Sequence, residues 1–568
     1  MMKKFRFLFI SILALAALAS CKNEQMLAEA SRVTVKCAPS PLTLKAGSID
    51  ADLAINYPNG YFNSKAIVEL TPVLVYQGGE VAIKPIRFQG DKVKDNYRVV
   101  RSTGSTISQH VSFPYREGMS KAHLELRSRY TLNKKSWVKL PDIKVAEGCN
   151  ITENLADVKG SYTLKDHCYQ EIITLNPEGQ VMYSINSAEV KNSELKSSSI
   201  KDFKAKLGEY TLNERTEITG IEVVAYASPE GKESFNNKLS ANRSKTANKA
   251  FDQVAKGEEL TGVKTRVSSV GEDWEGFQEM VKKSDIEDKD LILRVLSMYN
   301  DPKVREREIR NLSSIYRDLA DDVLPQLRRA RFIANVEYTN YSEEELKSLI
   351  HENVDILDEP ALLKAASICS DAKDKKMLYN KAIEKYNSEK ARFNLACVAL
   401  DENDLQAAVS HLSELNADDV DVLNLNGVIA LRQNDLEKAN SFFKKSVDRA
   451  LELFENEESI EPVSAAAADA LMNQGLVALL GGRYSEAIVK CGLKGTNAAL
   501  ARLLAGHYDD ALVSLGDCNC AKSNYMRAII FTRKADYAAA KEALAKACAQ
   551  SPELKQRAET DLEFTVLK

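Results

Sequence analysis

The residues best suited to chemistry in this chain stand together in AYASPEGKESFNNKLSANRS, Ala225 to Ser244. The run reads as a strand end, a glycine-containing loop and the start of a helix that carries an arginine. Helical spacing sets Leu239, Arg243 and Ala247 on one stripe, so Arg243 projects to the packed side, near the Ser228 loop. A guanidinium placed there needs an anion, either internal or a ligand's, and its planar fork takes a carboxylate through two parallel hydrogen bonds. Other clusters promise less. Glu272 and Asp273 are adjacent acids of the kind common on solvated loops. Cys518 and Cys520 form a C-x-C that reads as a loop with two thiols, because no second ligand pair stands at zinc-like spacing. The six histidines are scattered. With no acid/base pair, nucleophile elbow or metal spacing, the expectation is a protein that is not an enzyme, with neither metal nor cofactor.

Three regions position these residues. From Val33 to about Asn150, short alternating runs such as SRVTVKCAPSPLTLKAG and KAHLELRSRYTL are broken by Pro-Asn-Gly and Gly-Gly turns. Ala122, Leu124 and Leu126 should face one way and His123, Glu125 and Arg127 the other, and the whole suits a β-sandwich over 33–150. Cys37 and Cys149 bracket that region and are candidates for a bridge in an oxidising compartment. Over 160–341 the pattern is mixed. EITGIEVVAYA reads as a strand, a helical run starts at Ser240, and DDVLPQLRRARFIANVEY ends in another strand, which predicts an α/β sandwich. Trp274 lies in an insertion between Arg243 and Arg328 and is expected in the core.

From 342 to 568 the chain is helical and repetitive. A small residue, a turn residue eight on and an alanine twelve on recur as Ala396/Asp404/Ala408, Gly427/Asp435/Ala439, Gly475/Arg483/Ala487, Ala499/His507/Ala511 and Ala528/Asp536/Ala540. Two antiparallel helices approach closely only where small side chains cross, and a short polar turn must join them. The final alanines are 31, 48, 24 and 29 residues apart, so the superhelix should be irregular, with an insertion near ENEESIEP. Ala361 to Tyr386 reads as a further degenerate repeat or a cap.

The charge balance, 77 basic against 81 acidic residues for a net −4, marks no nucleic acid as a partner. At the N-terminus, Lys3, Lys4 and Arg6 precede an apolar run, Phe7 to Leu18, too short to span a bilayer. Leu18-Ala19-Ser20-Cys21 resembles the lipobox of bacterial lipoproteins. That resemblance implies a signal peptide over 1–20, lipidation of Cys21, a linker over 21–32 and attachment to the outer membrane through lipid. The tail Lys22-Asn23-Glu24-Gln25 carries a single acid, and a periplasm-facing orientation is expected over the surface-exposed one that Bacteroidota-type lipoproteins show after several acids.

Two further resemblances follow. The helical repeats resemble tetratricopeptide repeats, whose ideal period is about 34 residues, which implies recruitment of envelope proteins. The run from Ala225 resembles the OmpA-like peptidoglycan-binding motif, its slots held by Ser228, Gly231, Asn236, Leu239-Ser240 and Arg243, and Arg328-Arg329 resembles that family's lead into its last strand. In that family the arginine holds the diaminopimelate carboxylate of the stem peptide and an aspartate holds its ammonium. Here Ser228 stands at the aspartate slot and cannot neutralise an ammonium. The resemblances together imply a lipoprotein that anchors the outer membrane to peptidoglycan. The alternative is a scaffold subunit of an envelope secretion or surface-assembly complex that no longer binds the wall.

Overall fold

The computed structural model describes residues 25–229, 232–256, 260, 262–284, 286, 289–299, 301–311, 319–456 and 461–568. Cys21 and Gly231 lie outside them. The chain divides into two compact units: Met1–Lys165 together with Glu389–Lys568, and Asp166–Ser388. Among the described residues no helix is long and apolar enough to cross a membrane.

The first unit begins with strands β1 (Thr34–Ala38), β2 (Leu42–Lys45), β3 (Ser48–Tyr57), β4 (Ala66–Tyr76), β5 (Gly79–Ala82), β6 (Ile86–Gly90), β7 (Arg98–Val100), β8 (Ser105–Pro114), β9 (His123–Leu132), β10 (Trp137–Lys139), β11 (Ile143–Glu147) and β12 (Cys149–Asn150). They form two mostly antiparallel sheets, one built on β3 with β1, β2 and β8, the other on β4 with β9 and β6. Alternation does the sorting. Ile49, Ala51, Leu53 and Ile55 of β3 share one buried core with Val68 and Leu70 of β4. Leu124 and Leu126 of β9 join it, while His123, Glu125 and Arg127 stay half-exposed. Cys37 and Cys149 are not bridged. Both are free thiols, Cys37 half-buried and Cys149 buried, and burial pushes the Cys149 thiol up to about 12.

The second unit is an α/β sandwich of β13 (Ile172–Leu175), β14 (Glu178–Met182), β15 (Thr216–Ala227), β16 (Thr265–Glu272) and β17 (Arg329–Thr339). The strand order is β13-β17-β15-β16, with β14 also on β17; only β15 and β16 run parallel. Helices α1 (Ser198–Leu212) and α2 (Glu233–Val254) bury Phe203, Leu207, Ala247 and Phe251 against Val223, Phe332 and Ala334 of the sheet. The insertion carries α3 (Trp274–Lys283), α4 (Lys289–Met298) and α5 (Pro302–Asn311). Trp274 is half-buried, edge-on to Phe277, and donates Nε1–H to Glu272 Oε2 at 3.0 Å. Helices α6 (Glu343–Glu352), α7 (Glu359–Ile368) and α8 (Ala372–Tyr386) belong to this unit, so the stretch read as a degenerate repeat or cap lies outside the unit that holds the repeats.

The repeats return to the first unit as hairpins α9 (Glu389–Asp401)/α10 (Leu405–Leu412), α11 (Val420–Arg432)/α12 (Leu436–Glu455), α13 (Glu461–Leu480)/α14 (Tyr484–Lys490), α15 (Thr496–Leu504)/α16 (Tyr508–Leu515) and α17 (Ala521–Arg533)/α18 (Tyr537–Gln550), followed by α19 (Pro552–Ala558). The small residues sit where helices cross: a Cβ on Gly427 would stand 2.4 Å from the Phe443 ring, and one on Gly475 2.6 Å from Cys491 Sγ. The turns share one geometry. Asn403, Asn434, Gly482, Gly506 and Ala535 all take left-handed φ, and Asp404, Asp435 and Asp536 then cap the second helix by accepting a backbone N–H at 2.9–3.1 Å. The 48-residue interval is filled by α12 and α13, 20 residues each.

Candidate functional site

Arg243 is buried, 1% exposed, as its helical stripe predicts. Its Nε donates to Ser187 O at 2.9 Å, Nη1 to Tyr226 O at 2.9 Å and Nη2 to Ser184 O at 3.3 Å, and the guanidinium lies 4.9 Å from the Tyr183 ring centroid. The arginine ties the end of β15 and the Tyr183–Ser187 loop to α2. Ser228 is buried, and its carbonyl accepts from Asn236 Nδ2 at 3.2 Å. The same amide donates to Glu272 Oε1 at 2.9 Å, which brings a carboxylate from the end of β16 to the Ser228–Asn236 pair. Leu239 is half-buried on α2. Arg329 is spent on a buried pair with Asp273, Nη2 to Oδ2 at 2.9 Å, and Asp273 also caps α3 through Gly276 N. The two acids read as solvated-loop residues are therefore structural: Asp273 is buried and Glu272 half-buried.

A second constellation lies on the helical array. The first helices of successive hairpins carry Asn394, Asn424, Asn473 and Asn497, and across them runs the chain's own segment 152–165, a 3-10 turn at Thr152–Leu155 followed by irregular chain. Three of the amides hold one residue each from both sides of its main chain. Asn497 Oδ1 accepts from Asp157 N at 2.8 Å while its Nδ2 donates to Asp157 O at 2.8 Å. Asn473 does the same with Ser161, at 2.7 and 2.8 Å, and Asn394 with Lys165, at 2.8 and 3.1 Å. Asn424 adds a donor to Ser161 O at 3.0 Å and accepts from Asn473 Nδ2 at 2.9 Å. A primary amide offers an acceptor and two donors in one plane, which matches the N–H and C=O of one extended residue whatever its side chain. The gripped residues are four apart, and between the first two the chain turns at Val158–Lys159 and passes Gly160 at φ +80°.

Side chains add a second reading. Asp469 accepts from Ser161 Oγ at 2.5 Å and Thr163 Oγ1 at 2.7 Å, and Asp401 accepts from Tyr162 OH at 2.5 Å. Lys165 Nζ is paired with Asp421 and lies 3.4 Å from Asp419. Burial works against the Lys165 ammonium, but these two carboxylates outweigh it and its pKa stands above the ordinary lysine value. Burial raises the Asp421 carboxyl, and Lys165 pulls it only part of the way back. Both shifts run upward; two carboxylates facing one ammonium keep the lysine charged. Upstream, Thr152 Oγ1 and Asn150 Nδ2 donate to Glu563 Oε1 at 2.6 and 2.7 Å. Burial raises the Glu563 carboxyl, yet Arg533 and these donors outweigh it and hold it below the usual range.

None of the asparagines was singled out from the sequence. The signal was present as N-L-A, N-Q-G and N-A-A, an asparagine two residues before the small crossing residue at 396, 475 and 499.

No protein-family model matches the chain, and no curated protein matches it. Among solved structures, a tetratricopeptide repeat protein from Parabacteroides merdae is 15% identical with a TM-score of 0.29, over 39% of this chain and 91% of that one. PilW, described as a widely conserved type IV pilus biogenesis factor, is 16% identical with a TM-score of 0.28, over 38% and 99%. Yeast Tom70 is 13% identical with a TM-score of 0.22, over 65% and 71%. Likenesses at such scores say nothing of what this chain binds.

Proposed function

We propose that this chain is a non-enzymatic protein-interaction scaffold of the cell envelope, held to the outer membrane through lipid on Cys21, whose helical array recruits polypeptides. The observation that carries the reading is the row Asn394, Asn424, Asn473 and Asn497, four amides that hold the main chain of a crossing segment. Asn394, Asn424 and Asn473 are buried and Asn497 half-buried. Buried asparagines cost stability unless paired, and three of the four pair with both the N–H and the C=O of one residue on a single crossing segment. The second helices add exposed apolar side chains, Val489 (80% exposed) on α14 and Val513 (74%) on α16, outside the row. A photoreactive side chain at Val489 or Val513 in cells producing the full chain should yield a discrete polypeptide adduct, absent when the same group replaces Val99 on β7. No adduct at either position sinks the scaffold reading. A chain with Cys21→Ala should leave the membrane fraction.

The wall-anchoring reading stands second. What favours it is the Glu272 carboxylate beside Asn236 and Ser228, a half-buried anion near the serine that stands at the acidic slot. Against it, Arg243 already serves three carbonyls, and a stem-peptide carboxylate must compete with them. The wild-type chain, incubated with isolated sacculi, should stay in the supernatant on the scaffold reading and co-sediment on the anchoring one.

A further inference from the structure

We propose that residues 157–165 are an exchangeable occupant of the asparagine row, and that they give way to an extended segment of a partner protein carrying a lysine or arginine at the register of Thr163 and another at that of Lys165. The inference rests on the scaffold reading and names the ligand class for it. The segment has two halves held by different means. Thr152, Glu153 and Leu155 are buried, Leu155 within the core of the array, and Arg557 Nη2 donates to Ile151 O at 2.9 Å. Beyond Ala156 the grip is mainly polar, with main-chain clamps at 157, 161 and 165 and hydroxyl or ammonium contacts between them, and Tyr162 alone of its aromatic or branched side chains also packs on the core of the array. The apolar side chains there turn outward, Val158 48% and Leu164 46% exposed. Gly160 takes φ +80° with Val428 2.9 Å from where its Cβ would be, so the chain passes a crowded point without a side chain. A segment held mainly by polar groups, between the buried Leu155 and the second unit that begins at Asp166, can leave the row without unfolding the core.

Charge selects the replacement. Four carboxylates of the array, Asp401, Asp419, Asp421 and Asp469, meet this half of the segment, against the cations Lys165, Arg432, which donates Nε–H to Lys159 O, and Lys522, which lies 4.0 Å from the segment's own Asp157. Asp469 is buried and holds two neutral hydroxyls, Ser161 and Thr163. A cation at the Thr163 register replaces a neutral donor to the Asp469 carboxylate with an oppositely charged one, which adds an ion pair to the hydrogen bond. The tethered segment has an effective concentration in the millimolar range, so a free peptide must gain from such a contact to displace it.

The test uses the full-length chain and a fluorescein-labelled peptide of residues 156–166 carrying Thr163→Arg, read by anisotropy. Lys165→Glu in the chain sets its own segment against Asp419 and Asp421 while leaving every asparagine in place. The labelled peptide should bind this variant at least tenfold more tightly than wild type, and adding Asn473→Ala should reverse the gain. The peptide without Thr163→Arg should bind at least tenfold more weakly. Equal affinity for the wild-type and Lys165→Glu chains, both folded by circular dichroism, overturns the proposal. Should Lys165→Glu misfold, saturating peptide on wild type must speed amide exchange at Ser161 and Lys165, and unchanged exchange overturns it. If exchange fails while adducts at Val489 or Val513 persist, the exchangeable segment is wrong and the scaffold stands; if both fail, both readings fall.

Discussion

Replacing Arg243 with methionine separates an arginine that holds the fold from one kept for a ligand. Its guanidinium donates to Ser187, Tyr226 and Ser184 carbonyls and rests over Tyr183. A hydrogen bond to a charged group contributes about 1.5–3 kcal/mol, so three sum to roughly 4.5–9 kcal/mol. They share one side chain and are not additive, and methionine keeps part of the stem packing, which lowers the expected loss to about 3–5 kcal/mol. A residue retained for binding behaves differently, since its removal is commonly neutral or stabilising. A chain of several units lacks a single unfolding free energy, so the assay is amide exchange resolved by mass spectrometry. Peptides covering 183–187, 221–227 and 240–251 should exchange at least about 100-fold faster in Arg243→Met, the ratio that a loss near 3 kcal/mol implies. Peptides from 389–568 should not change. Exchange within threefold of wild type across the sheet would refute the structural assignment.

Four other outcomes follow from the structure. Asp273→Ala strands the buried Arg329 guanidinium and uncaps α3, and should cost about 3–5 kcal/mol in the second unit, with Asp273→Ala/Arg329→Met less damaging than the single change, read by urea-dependent exchange. In the array, Gly427→Ala drives a methyl into Phe443 and should destabilise by about 1–3 kcal/mol, whereas Ala535→Gly relieves a left-handed alanine and should stabilise by about 0.5–1 kcal/mol; both are read by local exchange over α11–α12 and α17–α18. The Cys518 thiol, hydrogen-bonded by Ser523 and Cys520 and close to Arg527, is pulled down to about 7, so its thiolate forms as pH rises through 7. Iodoacetamide labelling of Cys518, located by peptide mapping, should therefore climb between pH 6 and 8 and level off above, whereas a rise centred near 9, an ordinary thiol's value, would count against it.

The array was the most legible part of the chain, because close helix crossings require small residues at fixed steps and the turns require a left-handed residue before an aspartate cap. Alternation likewise exposed the inner face of β9. The groove was not legible, since nothing local in ADVKGSYTLK says that it will lie on helices some 230 to 340 residues later; that pairing is tertiary. The arginine shows the same limit. Its burial followed from helical spacing, but the identity of its acceptors did not, because backbone carbonyls carry no sequence signature. Asp273 and Glu272 were misplaced for a related reason: adjacency in sequence suggested solvent, whereas the turn after β16 aims them at Arg329 and Asn236.

The claim on which the account turns is that asparagines of the array grip the main chain of a crossing segment. Amide exchange at single-residue resolution, by electron-transfer fragmentation of the full chain, tests it directly. The account predicts slow exchange at Asp157, Ser161 and Lys165, whose N–H groups meet Asn497, Asn473 and Asn394, and predicts that Asn473→Ala speeds Ser161 at least tenfold while Asp157 changes less. Exchange at those three amides as fast as in a free peptide, or a Ser161 rate indifferent to Asn473→Ala, would contradict it.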